Sequence, residues 1–358
     1  MSPTPLDHSA VKGGNVIQAL NPLAIADWDG KISKFSGATF FHSAAWARVL
    51  SDSYGYQPVY LTHVESNHFE ALLPLMEVNS WLTGRRGVSL PFTDSCEPLC
   101  PDVTSFKQLF AAATEYGIKR NWKYLECRGG RQWMNEVPVS TCFFNHLLNL
   151  TPAESSLWLG LSENTRRAVR KGQRSGLTVE FAQTLDAVRI FYALLCETRK
   201  RHGVPPQPFD FFANIYRHVL STGKGRVIII RKDSHAVAGA MFFHFGRAAI
   251  YKFGASAAPF QHFRPNNLVM WEAIRRYKVD GFESMDFGRT SLTNDGLRQF
   301  KLGWGTQESH VDYARFLLPT GKFVPAVDQS SGHHTRFFNF LPISVSKIAG
   351  RFLYRHLG

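Results

Sequence analysis

"GRVIIIRKDSHAVAGAMFFHFGRAAIYKFGAS", Gly225–Ser256, holds three runs rich in Val, Ile, Ala and Phe, separated by the polar "KDS" and by "GR". Such spacing predicts three strands joined by tight turns, an antiparallel meander. Downstream, Pro265 opens a helix whose Met270, Ala273, Ile274 and Tyr277 share one face. Proline suits a first helical turn because its φ is already helical and its missing N–H is not needed there. A strand in "FESMDFGRT", a short helix in "DGLRQFKLGW" and a last strand in "SHVDYARFLL" complete this unit. Upstream of the meander lie a strand, "LTVEFA", a helix with Val188, Phe191, Tyr192 and Leu195 on one face, and a second helix, "FDFFANIYRHVL".

The first half of the chain repeats this order. "TFFHSAAWARVLSDSYGY" reads as a helix, "QPVYLTHVES" and "FEALLPLMEVNSW" as a strand pair, and "RRGVSLPFTDS" as a third strand that ends in a turn. Phe106, Leu109, Phe110 and Ala113 mark a helix face, and "KYLECRGG" and "STCFFNHLLNL" are strands. Residue identity between the halves is weak, so the repeated order of elements carries the inference. The fold expected is α+β, two mixed-sheet units side by side. The divisions are a polar leader (1–36), a first unit (37–151), a second unit (152–318) and a tail with an amphipathic helix (319–358).

Composition agrees with globular cores. Of 358 residues 44% are hydrophobic and 13% aromatic, and the net charge is 41 − 28 = +13. That excess points to an anionic partner and says little about fold. No apolar run approaches the length of a spanning helix, and the N-terminus lacks the basic and apolar regions of a signal peptide. A cytoplasmic protein is expected. Cys96, Cys100, Cys127, Cys142 and Cys196 read as free thiols, and "CEPLC" has no second ligand pair, so no metal is expected.

The densest polar chemistry lies in "MDFGRTSLTNDGLRQFKLGWG", Met285–Gly305. Amide formation from an activated acyl group needs a proton acceptor for the attacking amine, donors for the tetrahedral oxyanion and charge relief for the leaving group. Asp286, at a strand end before glycine, can reach a cleft; Arg289 and Lys301 can supply positive charge. The plain alternative for Asp286 is an ion pair with Arg289. Arg264, Asn266 and Asn267 stand at a helix start, a ready anion site, or merely cap it. Strand alternation places Tyr251 and Lys252 on opposite faces, one toward the cleft. In "TRRAVRKGQR", Arg166, Arg170 and Arg174 form one helical stripe, either a solvated face or a contact for tRNA or a lipid-linked pyrophosphate. Near the end, Val345, Ile348, Ala349 and Phe352 oppose Lys347, Arg351 and Arg355. Such a helix either lies on an anionic bilayer or docks on the protein's own core.

The order of elements resembles a tandem GNAT (Gcn5-related N-acyltransferase) fold. "FFHSAAWARVL", "VSLPFTDSCEPL", "RRAVRKGQRSGL", "YKFGASAAPFQHFRPNNLVMWEAI", "DFGRTSLTNDGLRQFKLGWG" and "LPISVSKIAGRFLYRHLG" together resemble the FemAB-type aminoacyltransferases and their BioF2-like relatives, most of all those of exopolysaccharide and exosortase systems. The resemblance implies an N-acyl- or aminoacyltransferase acting on an amine of a cell-envelope glycan or peptidoglycan-like precursor. It also implies that Lys301, matching the lysine of F-K-x-x-(F/W)-G, lies at the transfer site; its side chain is expected to be exposed, facing back toward Asp286. "QHFRPNNL" lacks the glycines of the usual acyl-CoA loop, so acetyl-CoA is expected to bind weakly. The donor is left open among acyl-CoA, acyl carrier protein and aminoacyl-tRNA, with no resident cofactor. The expected protein is a monomer that meets an anionic glycan or lipid-linked precursor, with tRNA and the inner-membrane surface as further candidate partners. The alternative is a non-catalytic GNAT-fold module that binds an anionic glycan-lipid or RNA.

Overall fold

A computed structural model of the chain describes residues 16–66, 68–325 and 342–357. The strands are β1 (Val16–Leu20), β2 (Gln57–Pro58), β3 (Tyr60–Glu65), β4 (His68–Leu73), β5 (Met76–Ser80), β6 (Gly84–Val88), β7 (Tyr124–Arg128), β8 (Thr141–Asn149), β9 (Leu177–Ala182), β10 (Gly225–Lys232), β11 (His235–Phe245), β12 (Ala248–Ser256), β13 (Ser284–Asp286), β14 (Thr290–Ser291), β15 (Gln307–Leu317) and β16 (Lys322–Val324). The α-helices are α1 (Trp28–Ile32), α2 (Ala44–Tyr54), α3 (Val103–Lys119), α4 (Glu154–Gly160), α5 (Glu163–Arg174), α6 (Leu185–Arg201), α7 (Phe209–Ile215), α8 (Pro265–Val279), α9 (Asp295–Leu302) and α10 (Ile343–Leu353).

The repeated order is visible in the pairing. In each half an antiparallel segment ends in a strand that pairs in parallel with the strand arriving after a helix: β6 with β7 through α3, and β12 with β13 through α8. The halves do not keep separate sheets. One 13-stranded sheet runs β2-β5-β6-β7-β15-β8-β13-β12-β11-β10-β9, with β14 on β8 and β16 on β15. β15 of the second half lies between β7 and β8 of the first, and β8 lies between β15 and β13. Three strands, β1-β3-β4, form a smaller sheet. Sequence order alone does not reveal this exchange, because the partner of an antiparallel strand need not be its neighbour in sequence.

The helices cover both faces. Met270, Ala273, Ile274 and Tyr277 of α8 are buried together with Ile228 and Ile230 of β10, as their spacing predicts. On the other face Phe191 and Leu195 of α6 and Phe211 and Phe212 of α7 pack with Val227 and Ile229. Alternate β10 side chains thus feed two cores, the mark of a sheet covered on both sides.

Two expectations need correction. The stretch read as a polar leader is structured from Val16: β1 pairs with β3, and Trp28 and Ile32 are buried. Residues 1–15 of that leader lie outside the described residues. The stretch 57–80, read as one strand pair, is broken at Val59 and at Pro74–Leu75 into four strands shared between the two sheets. Pro74 cannot donate to a ladder, so the chain changes sheet there. In the tail, 326–341 likewise lies outside the described residues.

Candidate active site

β12 pairs with β13 only through Ala248, Ala249 and Ile250, then continues to Ser256 paired with β11 alone. The strands part beyond Ile250, and a cavity of about 930 Å³ opens in the gap. Thr198 and Arg201 of α6 border it from one side of the sheet, Asn266 and Met270 of α8 from the other. Lys301, Arg289, Lys252, Tyr251 and Asp94 also face it.

α9 carries Lys301. Asn294 caps this helix by accepting from the Leu297 N–H, as its place before the helix predicts. The Lys301 side chain turns inward and Nζ donates to the carbonyl oxygens of Gly288 (2.6 Å) and Arg289 (3.1 Å). Lys301 is 2% exposed, which corrects the expectation of an exposed lysine. Burial depresses its ammonium to about 8, and the nearby carboxylates of Asp94 and Asp286 only partly restore it.

Asp94 was not singled out in the sequence. It follows β6 in the first half, at the end of a loop where Leu90 and Phe92 both adopt left-handed φ (48° and 59°). Pro91 and Asp94 in "SLPFTD" mark a turn, but nothing there announces the left-handed φ of Leu90 and Phe92. Asp94 Oδ2 accepts from Lys252 Nζ at 2.9 Å, and Oδ1 lies 3.9 Å from Arg289 Nε. Burial disfavours the Asp94 charge, but Lys252 and Arg289 outweigh it and hold the carboxyl below its ordinary range. Burial in turn lowers Lys252, with Asp94 opposing. Arg289 lies over the Phe143 ring (4.4 Å) and donates to the Tyr313 hydroxyl.

Tyr251 and Lys252 both border the cavity, contrary to simple alternation. The β11–β12 register shifts here: Met241 pairs with Phe253 but Phe242 with Tyr251, leaving Lys252 as the extra residue of a bulge. A bulge resets which face the next side chain takes. Burial pushes the Tyr251 hydroxyl up to about 12.

Asp286 stands beside the cavity rather than in its lining, with Phe287 and Gly288 between. Its partner is not Arg289. Oδ1 accepts from the Gly288 N–H at 2.6 Å, and Oδ2 has a 3.4 Å contact from Asn145 Nδ2 of β8. Burial raises its carboxyl to about 6, the Gly288 bond opposing, while Asp94 adds to the rise. Gly288 has φ +72°, and a Cβ there would lie 3.2 Å from Asp94 Oδ2. Glycine is therefore what lets the chain pass between the two carboxylates.

The helix start divides between two spaces. Asn266 borders the main cavity and donates to Ser256 Oγ at 3.2 Å. Arg264, itself left-handed at φ 61°, and Asn267 border a second cavity of about 790 Å³ with Arg167 and Lys171 of α5. Arg166 instead donates to the Leu159 carbonyl, and Arg170 lies over the Trp158 ring at 5.4 Å. The neighbouring stripe of α5 thus reaches the cavity. The helix amphipathicity showed a charged stripe but could not say which charges turn toward α8.

Residues 161–308 match the acetyltransferase (GNAT) domain family. The chain has the tandem GNAT fold. Among solved structures FemX is similar with a TM-score of 0.65 at 14% identity, over 79% of this chain and 94% of that one. The C-terminal domain of a protein named as a lysylphosphatidylglycerol synthetase from Agrobacterium fabrum gives 0.53 at 15%, over 80% and 89%. A tandem GNAT protein from the clavulanic acid biosynthesis pathway gives 0.50 at 9%, over 85% and 99%. No curated protein sequence matches the chain at a significant level. The tandem GNAT fold expected of the chain is borne out, and residues 161–308 carry the GNAT acetyltransferase domain.

Proposed function

We propose that this cavity transfers an acyl or aminoacyl group to an amine of an anionic cell-envelope glycan or lipid-linked precursor. The observation that carries the reading is convergence: Lys301, Arg289, Lys252 and Asp94 meet at one cavity where β12 parts from β13. The free edge of β12 offers N–H and C=O groups to an extended acyl-donor arm, as strand edges do for peptides. Asp286, set behind the cavity wall, takes the proton of the attacking amine through one water, because its carboxylate is kept near 6 rather than locked by cations. Lys301 and Arg289 stabilise the oxyanion that forms as nitrogen bonds to the acyl carbon; as that intermediate collapses, the leaving sulfur or ribose oxygen takes up the proton that Asp286 received and departs as thiol or hydroxyl. Asp94 holds Lys252 and Arg289 in place.

The net charge of +13 supports an anionic acceptor. The likeness to a fold neighbour named for lysylphosphatidylglycerol supports aminoacyl chemistry on such a scaffold. The missing acyl-CoA glycines favour aminoacyl-tRNA or acyl carrier protein over acetyl-CoA as donor. A cytoplasmic site of action and a role in exopolysaccharide assembly belong to the same reading.

The test supplies radiolabelled acetyl-CoA, acyl carrier protein and aminoacyl-tRNA in turn to the purified chain with a lipid extract of envelope precursors. The expected product carries label in an amide bond resistant to mild base. No label transfer from any of the three donors, with tight binding of the extract retained, would favour the non-catalytic module instead.

A further inference from the structure

α10 docks on the protein in an unusual sense. Its small residues face inward: Ser346 and Gly350 are buried, and a Cβ on Gly350 would meet the Pro206 carbonyl at 1.9 Å. The following turn is tied down firmly. His356 Nδ1 bonds Ser80 Oγ at 2.9 Å, its carbonyl accepts from Arg86 Nη2 at 2.8 Å, and Tyr354 donates to the Pro205 carbonyl at 3.1 Å. Ile343 packs on the core, but three large apolar side chains point the other way. Val345, Ile348 and Phe352 are 44%, 60% and 67% exposed.

They do not stand alone. The β5–β6 hairpin places Trp81 (86% exposed) and Leu82 (57%) at its tip, and the Trp81 ring meets the His356 ring at 5.4 Å. Leu357, next to His356, is 59% exposed. Helix and hairpin therefore present apolar side chains from adjoining elements that are fastened to each other. Cations flank them. Lys347, Arg351 and Arg189 border a groove of about 470 Å³ on one side of α10, and Arg355 joins Arg351 around a neighbouring one of about 290 Å³. Among the described residues Asp210 is the one acidic residue lining both.

We infer that α10, its following turn and the Trp81–Leu82 tip form a surface that seats the protein on a bilayer rich in anionic lipid. Three features favour a bilayer over other occupants. The apolar residues are large and stand on rigid elements, so they can enter the headgroup–acyl boundary without unfolding. Lys347 and Arg351 of the helix and Arg355 of the turn that follows it can meet lipid phosphates, the arrangement of interfacial helices. A tryptophan this exposed is at home where one side is wet and the other apolar. The surface also lies close to the cavity: Pro205 and Pro206, which hold α10, follow directly on the α6 end whose Arg199, Arg201 and His202 border the cavity. This inference stands independently of the transfer chemistry.

The test is flotation of the full chain with vesicles of phosphatidylglycerol and phosphatidylcholine in equal parts, against vesicles of phosphatidylcholine alone. The wild type should float with the anionic vesicles, less so as salt is raised. The combined variant Trp81→Ser, Ile348→Ser, Phe352→Ser should lose binding by about tenfold or more with its thermal transition unchanged. Leu159→Ser, which removes an exposed leucine elsewhere, should float like the wild type. Failure of the wild type to float, or equal flotation of the triple variant, would overturn the inference. A concentration-dependent dimer that the triple variant abolishes, without vesicle binding, would assign the surface to a second copy instead.

Discussion

Asp94, carried by the first half of the chain, accepts a hydrogen bond at 2.9 Å from Lys252, the bulge residue of the second half. The pair joins the halves at the cavity wall, where both side chains are largely shielded (18% and 7% exposed). Breaking it by one substitution strands the other charge. Asp94→Asn should therefore destabilise by about 3–5 kcal/mol, the usual cost of an uncompensated buried charge. Asp94→Asn with Lys252→Met should regain most of that stability without regaining transfer activity. Calorimetry of the single and double variants checks this; additive losses would mean the pair is not coupled.

Asp286 gives an opposite signature. Its folded carboxyl is raised to about 6. A raised carboxyl favours the fold when protonated, so its contribution is fully present below its unfolded value of about 4 and is lost as pH rises through about 6. Above that pH the buried carboxylate costs stability. Asp286→Asn should then be at least as stable as the wild type at pH 8 while losing activity. A thermal transition lowered at pH 8 and unchanged at pH 4 would contradict this.

Lys301 couples stability to function because it is buried. Lys301→Ala leaves the Gly288 and Arg289 carbonyls without their donor. The expected loss is about 1–3 kcal/mol, readable as a lower denaturation midpoint. A midpoint equal to wild type would show that the lysine swings out to solvent in solution.

Gly288→Ala should be harmful on two counts. Its φ of +72° disfavours any side chain, and the added Cβ would press on Asp94. A loss of about 1–2 kcal/mol from the backbone alone is expected. Because Asp94 also shifts, activity should fall more than the same loss of stability would produce at a remote site.

Much of this architecture is legible in the chain. The meander of Gly225–Ser256 and the buried face of α8 follow from periods of two and three to four residues, which are local signals. The exchange of β15 between β7 and β8 is not local, and nothing in "SHVDYARFLL" names its partners. The bulge at Lys252 adds one residue without any glycine or proline to mark it. Asp94 was invisible for a similar reason: Leu90 and Phe92 take left-handed φ although neither residue type favours it. Lys301, Arg289 and Asn266 could be singled out because polar side chains crowd around glycines and helix starts there. Which way each turns depends on the half of the protein that sequence order places elsewhere. α10 shows the same limit, since its two-faced pattern was plain but the face that docks is set by Gly350 against Pro206.

The most direct measurement is the pH dependence of amide-forming label transfer by the wild type, Asp286→Asn and Lys301→Met, with whichever donor the wild type accepts. A base at about 6 and a cation at about 8 should make the wild-type rate bell-shaped between those values, ionised Asp286 limiting below and charged Lys301 limiting above. Asp286→Asn should lose the acidic limb and Lys301→Met the alkaline limb, each with about 10²-fold less activity at pH 7. Unchanged limbs and near-wild-type rates in both variants would contradict the assignment of this cavity as the transfer site.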